Sequence, residues 1–184
     1  HAPFHFRHEW IQKHYEVMER TGSKFLGFVP DMGVYERRFP RVRSERTIRN
    51  GANRDIVQFI CDSYERGVDL DAVVEEVKRM GGGPLELGMV DDVKRIFFDD
   101  PRRLLQFMPR IFHIHAKFYE MVDDTTEYSI PYNEVIPVLI EGGYSGYLSS
   151  EYEGNRHIQD VYEVDSLEQV RRQQAMFKSL LGEV

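Results

Sequence analysis

Hydrophobic residues recur with two different periods along this chain of 184 residues, and each period predicts a type of element. A spacing of three to four residues, typical of a helix with one buried face, extends over most of the chain. Glycines and asparagine or aspartate residues at the ends of these stretches provide the expected caps. The pattern predicts helices over residues 6–21, 53–66, 70–80, 87–98, 101–107, 131–141 and 166–181.

Three shorter segments have the pattern of strands. Residues 25–29 form an apolar run that ends at Pro30, as expected for a buried strand. Residues 110–118 and 146–153 contain alternating patterns, and period two places side chains two residues apart on the same face. In the second segment this alternation separates two histidines and a lysine from the apolar residues.

The order of these elements predicts the fold class. A strand is followed by helices, a strand, a helix, a strand and a final helix, which is typical of an α/β protein with a parallel sheet. Residues 40–110 are helical and highly charged, and they are too numerous for one crossover helix. We therefore interpret the region of about 40–110 as a helical insertion.

Composition excludes several classes of protein. The chain has 24 Lys and Arg against 31 Asp and Glu, a net charge of −7, which argues against nucleic acid as a partner. No run of about 18 apolar residues occurs, so we expect no membrane-spanning helix and no membrane partner. The single cysteine, Cys61, excludes an internal disulfide and a thiolate zinc site, and it indicates a cytoplasmic protein.

Polar residues follow or end each predicted strand, and they form a candidate metal site. Asp31, His115 and Glu151 would meet at one edge of a parallel sheet. One imidazole and two carboxylates suit Mn²⁺ first, with Mg²⁺, Co²⁺ or Zn²⁺ as alternatives. Simpler interpretations remain open: Asp31 can cap a turn, and Lys117 can be a solvated charge. A strand histidine such as His113 is more often a hydrogen-bonded structural residue.

Three segments resemble one known family, in the same order. They are GFVPDMG (27–33), IFHIHAKFYE (111–120) and GYSGYLSSEYEG (143–154). The chain resembles the sugar phosphate isomerase/epimerase superfamily, whose members have a xylose isomerase-like TIM barrel. Within it, the chain is similar to the catalytic subunits of C-glycoside deglycosidases. This resemblance implies that residues 1–184 are the C-terminal part of a (β/α)8 TIM barrel with a helical insertion.

The resemblance also implies a ligand set. In that family Glu, Asp, His and Glu from four successive strands hold a divalent metal, and Asp31, His115 and Glu151 match the last three. The first Glu usually precedes a segment like His1-Ala2-Pro3, so we expect it to stand just before His1 in a longer chain.

The implied activity is that of a metal-dependent sugar isomerase/epimerase that moves a proton at a carbon next to a carbonyl. Glu151 would act as acid and base, and His1 would be the base if the deglycosidase resemblance holds. His113, Lys117 and Arg156 are candidates for binding the sugar substrate. We expect a homo-oligomer or hetero-oligomer.

Other functions are open at this point. One alternative is a C-glycoside deglycosidase-type lyase subunit, and another is a non-catalytic sugar-binding subunit. A metal-dependent phosphodiesterase of the DNA-repair type is disfavoured, because its site needs more histidine and acidic ligands and the chain's charge is wrong for DNA.

Overall fold

The fold is described by a computed structural model that covers residues 5–96 and 98–182. Most of its regular structure is helical. The helices are α1 (Glu9–Thr21), α2 (Arg41–Arg49), α3 (Arg54–Glu65), α4 (Leu70–Arg79), α5 (Pro84–Val93), α6 (Leu104–Phe107), α7 (Tyr132–Glu141) and α8 (Ser166–Leu181). Within this part of the chain, no helix has both the length and the apolar character required to cross a bilayer.

The described residues also form one small parallel sheet of two strands. Strand β1 (Ile114–Phe118) pairs with β2 (Leu148–Tyr152) in parallel register. On the other side of β1, residues 28–31 run in the same direction but make only isolated bridges, between Phe28 and Ile111 and between Asp31 and His115. The three segments therefore lie side by side and parallel, as their order in the sequence predicted.

The predicted C-terminal part of a (β/α)8 TIM barrel is wrong for this structure. In the described residues the only sheet contains two short strands, and the apolar run at 25–29 forms no strand. Phe25 is 95% exposed and Leu26 is 49% exposed, so the run is not buried as predicted. The physical reason is that, among the described residues, the run pairs only through Phe28 with the segment around Ile111 that precedes β1, and that Pro30 has no N–H with which to extend the pairing.

The core is divided into two clusters. The inner side chains of β1 pack with α7, α8 and the segment around Met32 and Tyr35. A second cluster is formed by α2 to α5 and the loops beside them, and it contains Phe39, Ala52, Ile56, Val57, Ile60, Val73, Val77, Met89, Val90 and Val93. The charged helical region predicted from the sequence thus buries apolar faces of its own. The limits of the insertion at about 40–110 remain a prediction.

Several helix ends agree with the sequence. Gly22 ends α1 with φ 62°, and Asn53 and Asp69 accept backbone N–H groups at the starts of α3 and α4. Helix α5 begins three residues earlier than predicted, because the Glu86 carboxylate accepts the backbone N–H of Gly83 at 2.9 Å. This hydrogen bond stabilises the first turn of α5, which the hydrophobic periodicity alone did not indicate.

Candidate active site

The two faces of β1 have opposite character. Ile114, Ala116 and Phe118 are completely buried in the core, whereas His115 and Lys117 point to the other face. The alternation predicted from the sequence is therefore confirmed. It leaves one face of the sheet free to hold polar side chains. We call Asp31, His115, Lys117 and Glu151 the site cluster.

Asp31 lies at the base of the cluster and is 3% exposed. Its Oδ1 accepts the backbone N–H of Gly33 at 2.8 Å, which caps the turn Met32–Val34. Its Oδ2 lies 2.7 Å from Lys117 Nζ. The carboxylate thus has both roles that the sequence allowed, because one oxygen caps the turn and the other belongs to the cluster.

Glu151 lies directly across the sheet from Lys117 in the strand register. Its Oε2 is buried and has no hydrogen-bond partner among residues 5–96 and 98–182. Two basic groups lie within 4.0 Å of it, His115 Nδ1 at 3.7 Å and Lys117 Nζ at 4.0 Å. A buried carboxylate oxygen without a partner is unusual and is available to a ligand or a substrate.

The backbone of β1 is held from behind the cluster. Tyr132 Oη donates to the carbonyl oxygen of Lys117 at 2.6 Å, and Gln173 Nε2 donates to that of Ala116 at 3.0 Å. Both donors come from helices that pack on the core face, α7 and α8. These bonds fix the strand that presents His115 and Lys117.

The fit of a metal ion to this arrangement is partial. Two ligands that share an ion at about 2.1 Å each lie about 3–4 Å apart, and His115 Nδ1 and Glu151 Oε2 meet this condition. Asp31 Oδ2 is instead paired with Lys117. Consistent with this, the described residues contain no group of three or more His, Cys, Asp or Glu side chains placed to hold a metal. The pair fits, and the full set of Asp31, His115 and Glu151 as ligands stays a prediction.

The other residues predicted for the site have different positions. His113 lies beside the cluster, with its ring 5.8 Å from that of His115 and Nε2 hydrogen-bonded to Ser149 Oγ at 2.8 Å. Arg156 follows β2, and its side chain is 62% exposed and pairs with Glu153; among the described residues it forms no ion pair with the cluster. His1 lies outside the described residues.

Sequence reasoning missed Glu36. This residue is 3% exposed, and its Oε1 accepts a hydrogen bond from Tyr119 Oη at 2.9 Å. Burial raises the pKa of Glu36 to about 7, although the Tyr119 hydrogen bond and the nearby Arg43 lower it. Its position five residues after Asp31 was the only signal in the sequence, since it lies in no periodic element.

A cavity of about 350 Å³ opens beside Asp31. It lies between α1 and residues 27–31, and Phe6, Trp10, Phe28 and Pro30 contribute to its apolar walls. This volume is within the range of small-molecule sites, about 300–1,000 Å³. The site cluster therefore has an apolar cavity next to it that is large enough for part of an organic substrate.

Comparison with known proteins gives relatives of one kind, and no family model matches the chain. The chain is 28% identical over 203 aligned positions to a 3'-dehydrocarminate deglycosidase alpha subunit from Microbacterium sp. This alignment covers 100% of this chain and 56% of the relative. It is 30% identical over 169 positions to a C-glycoside deglycosidase alpha subunit from Microbacterium trichothecenolyticum, covering 84% of this chain and 46% of the relative.

A C-glycoside deglycosidase alpha subunit from Arthrobacter globiformis is 28% identical over 168 positions, covering 84% of this chain and 46% of the relative. The chain thus spans about half the length of these curated relatives. The matches do not test the wider isomerase/epimerase superfamily, for which the three sequence segments are the only support. They do show that this chain is related to the alpha subunits of C-glycoside deglycosidases.

Proposed function

We propose that this chain belongs to the catalytic subunit of an enzyme that cleaves C-glycosides, the lyase alternative of the sequence analysis. The relation to deglycosidase alpha subunits across 84–100% of the chain carries this proposal. The comparisons do not support the metal-dependent isomerase/epimerase function that we first expected. The cluster of Asp31, His115, Lys117 and Glu151 is the proposed site of chemistry.

In this proposal Glu151 transfers the proton. Elimination of the aglycone takes a proton from the sugar carbon next to a carbonyl, breaks the bond between sugar and aglycone, and returns a proton to the aglycone carbon; one acid/base group can perform both transfers. Glu151 Oε2 is buried and has no hydrogen-bond partner in the described residues, whereas the side chain as a whole is 35% exposed, so the residue lies at the edge of the solvent-accessible face. These are the properties that a general acid or base needs.

Lys117 provides positive charge for the same step. The name of one relative contains the term dehydro, which denotes a sugar with a carbonyl in place of a hydroxyl. Loss of a proton next to a carbonyl places negative charge on its oxygen, and a fixed ammonium group stabilises that charge. Lys117 Nζ is anchored 2.7 Å from Asp31 and 4.0 Å from Glu151, so it is held in place beside the proposed base.

A divalent metal, Mn²⁺ first, is our proposed cofactor. His115 and Glu151 would hold it, and Asp31 stays the predicted third ligand. When bound, the ion would polarise the carbonyl oxygen of the sugar. His113 remains a candidate for binding a sugar hydroxyl, since it lies beside His115 and already bonds the Ser149 hydroxyl.

We further propose a second, different subunit as partner, because the relatives are named as alpha subunits.

The apolar cavity beside Asp31 would receive the apolar part of the glycoside. A cytoplasmic location fits the single free cysteine, Cys61.

The test is release of aglycone by the full-length protein. We would incubate it with a 3-dehydro C-glucoside, with and without added Mn²⁺, and follow the free aglycone by liquid chromatography. We expect release that is lost in Glu151→Gln. Isomerisation of a free ketose without any release of aglycone would contradict the proposal.

A further inference from the structure

A second, smaller cavity adjoins the site cluster. Its volume is about 160 Å³, and Asp31 and Lys117 form part of its wall together with Gly33, Glu36, Arg43 and Tyr119. Pockets that hold a whole small molecule usually exceed about 300 Å³. This cavity therefore has room for one polar substituent of a substrate bound at the cluster, and not for the entire substrate.

Glu36 is the most informative residue in this cavity, and Glu127 provides a contrast. Both are buried carboxyls whose pKa burial raises to about 7. The Glu127 oxygens accept the backbone N–H groups of Tyr119, Glu120, Ser129 and Ile130. Glu127 is thus fully used in holding the loop after β1, which explains its burial.

Glu36 is satisfied at only one oxygen. Oε1 accepts the Tyr119 hydroxyl, but the buried Oε2 has no hydrogen-bond partner in the described part of the chain. Leaving a buried polar atom without a hydrogen bond costs about 1–3 kcal/mol of stability. Such atoms are therefore rare in folded proteins, and one that lines a cavity indicates a binding partner there. Because Glu36 lines the cavity, a group inside the cavity is the natural partner for Oε2.

The lining of the same cavity also contains hydrogen-bond donors. Arg43 is 21% exposed, with one guanidinium nitrogen 3.3 Å from Asp92 Oδ2 and its plane over the Phe39 ring. Arg95 also lines the cavity and is 78% exposed, so it lies at the mouth. The cavity therefore presents a buried acceptor and a guanidinium donor to the same small volume.

These charges limit the occupant. A cation would be repelled by Arg43, Arg95 and Lys117, and an anion would meet the Asp31 carboxylate and the buried acceptor oxygen of Glu36. A neutral hydroxyl donates one hydrogen bond and accepts another, so it satisfies both kinds of group. We propose that this cavity is a subsite for a hydroxyl of the sugar, which donates to Glu36 Oε2 and accepts from Arg43. This inference rests on the proposed function, because it places the sugar at the site cluster.

The test compares a phenolic 3-dehydro C-glucoside with its 4-deoxy and 6-deoxy forms. Calorimetry would give the dissociation constant of each probe for the full-length protein and for Glu36→Gln. We expect one deoxy form to bind the unmodified protein at least about tenfold more weakly than the parent, since it loses a hydrogen bond to a charged group. In Glu36→Gln this difference should shrink to about threefold or less.

Two further variants keep the result interpretable. Arg43→Met should reduce the same deoxy penalty, which tests the subsite even if Glu36→Gln folds poorly. Glu127→Gln is the matched buried control; it should lower the melting temperature and leave the deoxy penalty unchanged.

Several outcomes would overturn the subsite. Equal binding of the parent and both deoxy probes would show a cavity that holds only water, and an unchanged penalty in both Glu36→Gln and Arg43→Met would place the hydroxyl elsewhere. Tight binding of the parent without cleavage would contradict the proposed function alone, whereas no binding of any probe would contradict both.

Discussion

Lys117 Nζ lies 2.7 Å from Asp31 Oδ2, in an ion pair whose carboxylate side is 3% exposed and whose lysine side is 18% exposed. The parallel bridge between Asp31 and His115 brings the two chain segments together, and Lys117 follows two residues later on the same face. From the sequence, Asp31 was expected as a metal ligand and Lys117 as a substrate contact. The structure shows that these two side chains instead pair with each other.

Lys117→Met tests this pair. It leaves a buried carboxylate without its cation, and breaking a buried ion pair in this way typically costs about 3–5 kcal/mol. We expect the free energy of unfolding, measured with urea at pH 7, to fall by about 3 kcal/mol. The double variant Asp31→Asn with Lys117→Met should recover most of this loss.

The matched control is Lys78→Met, because Lys78 pairs with Glu75 on the surface of α4 with both side chains exposed. Such a pair contributes about 0–1 kcal/mol, so little change is expected. As a second readout, Lys117→Met should bind Mn²⁺ at least about tenfold more tightly than the unmodified protein, since a positive charge beside His115 and Glu151 is removed. Equal stability and equal Mn²⁺ affinity would show that Lys117 does not control this site.

Glu151→Gln and Glu153→Gln test which of two glutamates at the end of β2 takes part in the reaction. Glu151 lies within the cluster, whereas Glu153 lies just beyond β2 and pairs with Arg156. We expect Glu151→Gln to lower turnover by at least about 10²-fold, the usual contribution of a general acid or base. Glu153→Gln should cost far less. Normal turnover in Glu151→Gln together with inactive Glu153→Gln would move the proposed base to position 153.

Glu36→Gln should change how stability depends on pH. Burial raises the folded-state pKa of Glu36 from 4.5 to about 7; Tyr119, Arg43 and Lys117 oppose this shift, and Glu127 adds to it. Between these values the folded chain keeps a proton that the unfolded chain has lost, so the free energy of unfolding falls as pH rises. One such group contributes a slope of up to about 1.4 kcal/mol per pH unit.

The measurement is a series of urea denaturations from pH 4.5 to pH 8. Glu36→Gln should have a shallower decline than the unmodified protein, with the remaining slope coming in part from Glu127. Glu75→Gln, an exposed substitution on α4, serves as control and should leave the slope unchanged. Identical slopes in all three proteins would rule out an uncharged Glu36 at pH 5–6.

Gly154→Ala and Gly88→Ala should have opposite effects on stability. A Cβ at Gly154 would overlap the carbonyl oxygen of Tyr119, whereas nothing lies within 4 Å of a Cβ at Gly88 in α5. We expect Gly154→Ala to cost about 1–3 kcal/mol through displacement of the chain after β2. Gly88→Ala should add about 0.5–1 kcal/mol, since alanine is favoured in helices.

Thermal and urea unfolding of both variants give the comparison. Equal stability of Gly154→Ala and the unmodified protein would mean that the loop after β2 tolerates the side chain, and the close approach to Tyr119 would then have no structural role.

The sequence by itself determined the local structure. Helix caps such as Gly22 and Asn53 depend on residues within one turn, and the alternation along β1 depends only on neighbours in the chain. The parallel order of the three segments also followed from sequence order. The predicted strand at 25–29 failed, because a buried strand needs neighbours that local pattern does not specify, and the described part of the chain leaves Phe25 95% exposed.

The composition of the site was predictable only in part. Asp31, His115 and Glu151 were identified from residue type at strand ends, which the parallel pairing brings together. That Lys117 takes an oxygen of Asp31, and that Glu36 is buried with one unpartnered oxygen, depends on distances between residues far apart in sequence. Tertiary structure alone decided these contacts, because charge pairing and burial depend on which side chains meet across the fold.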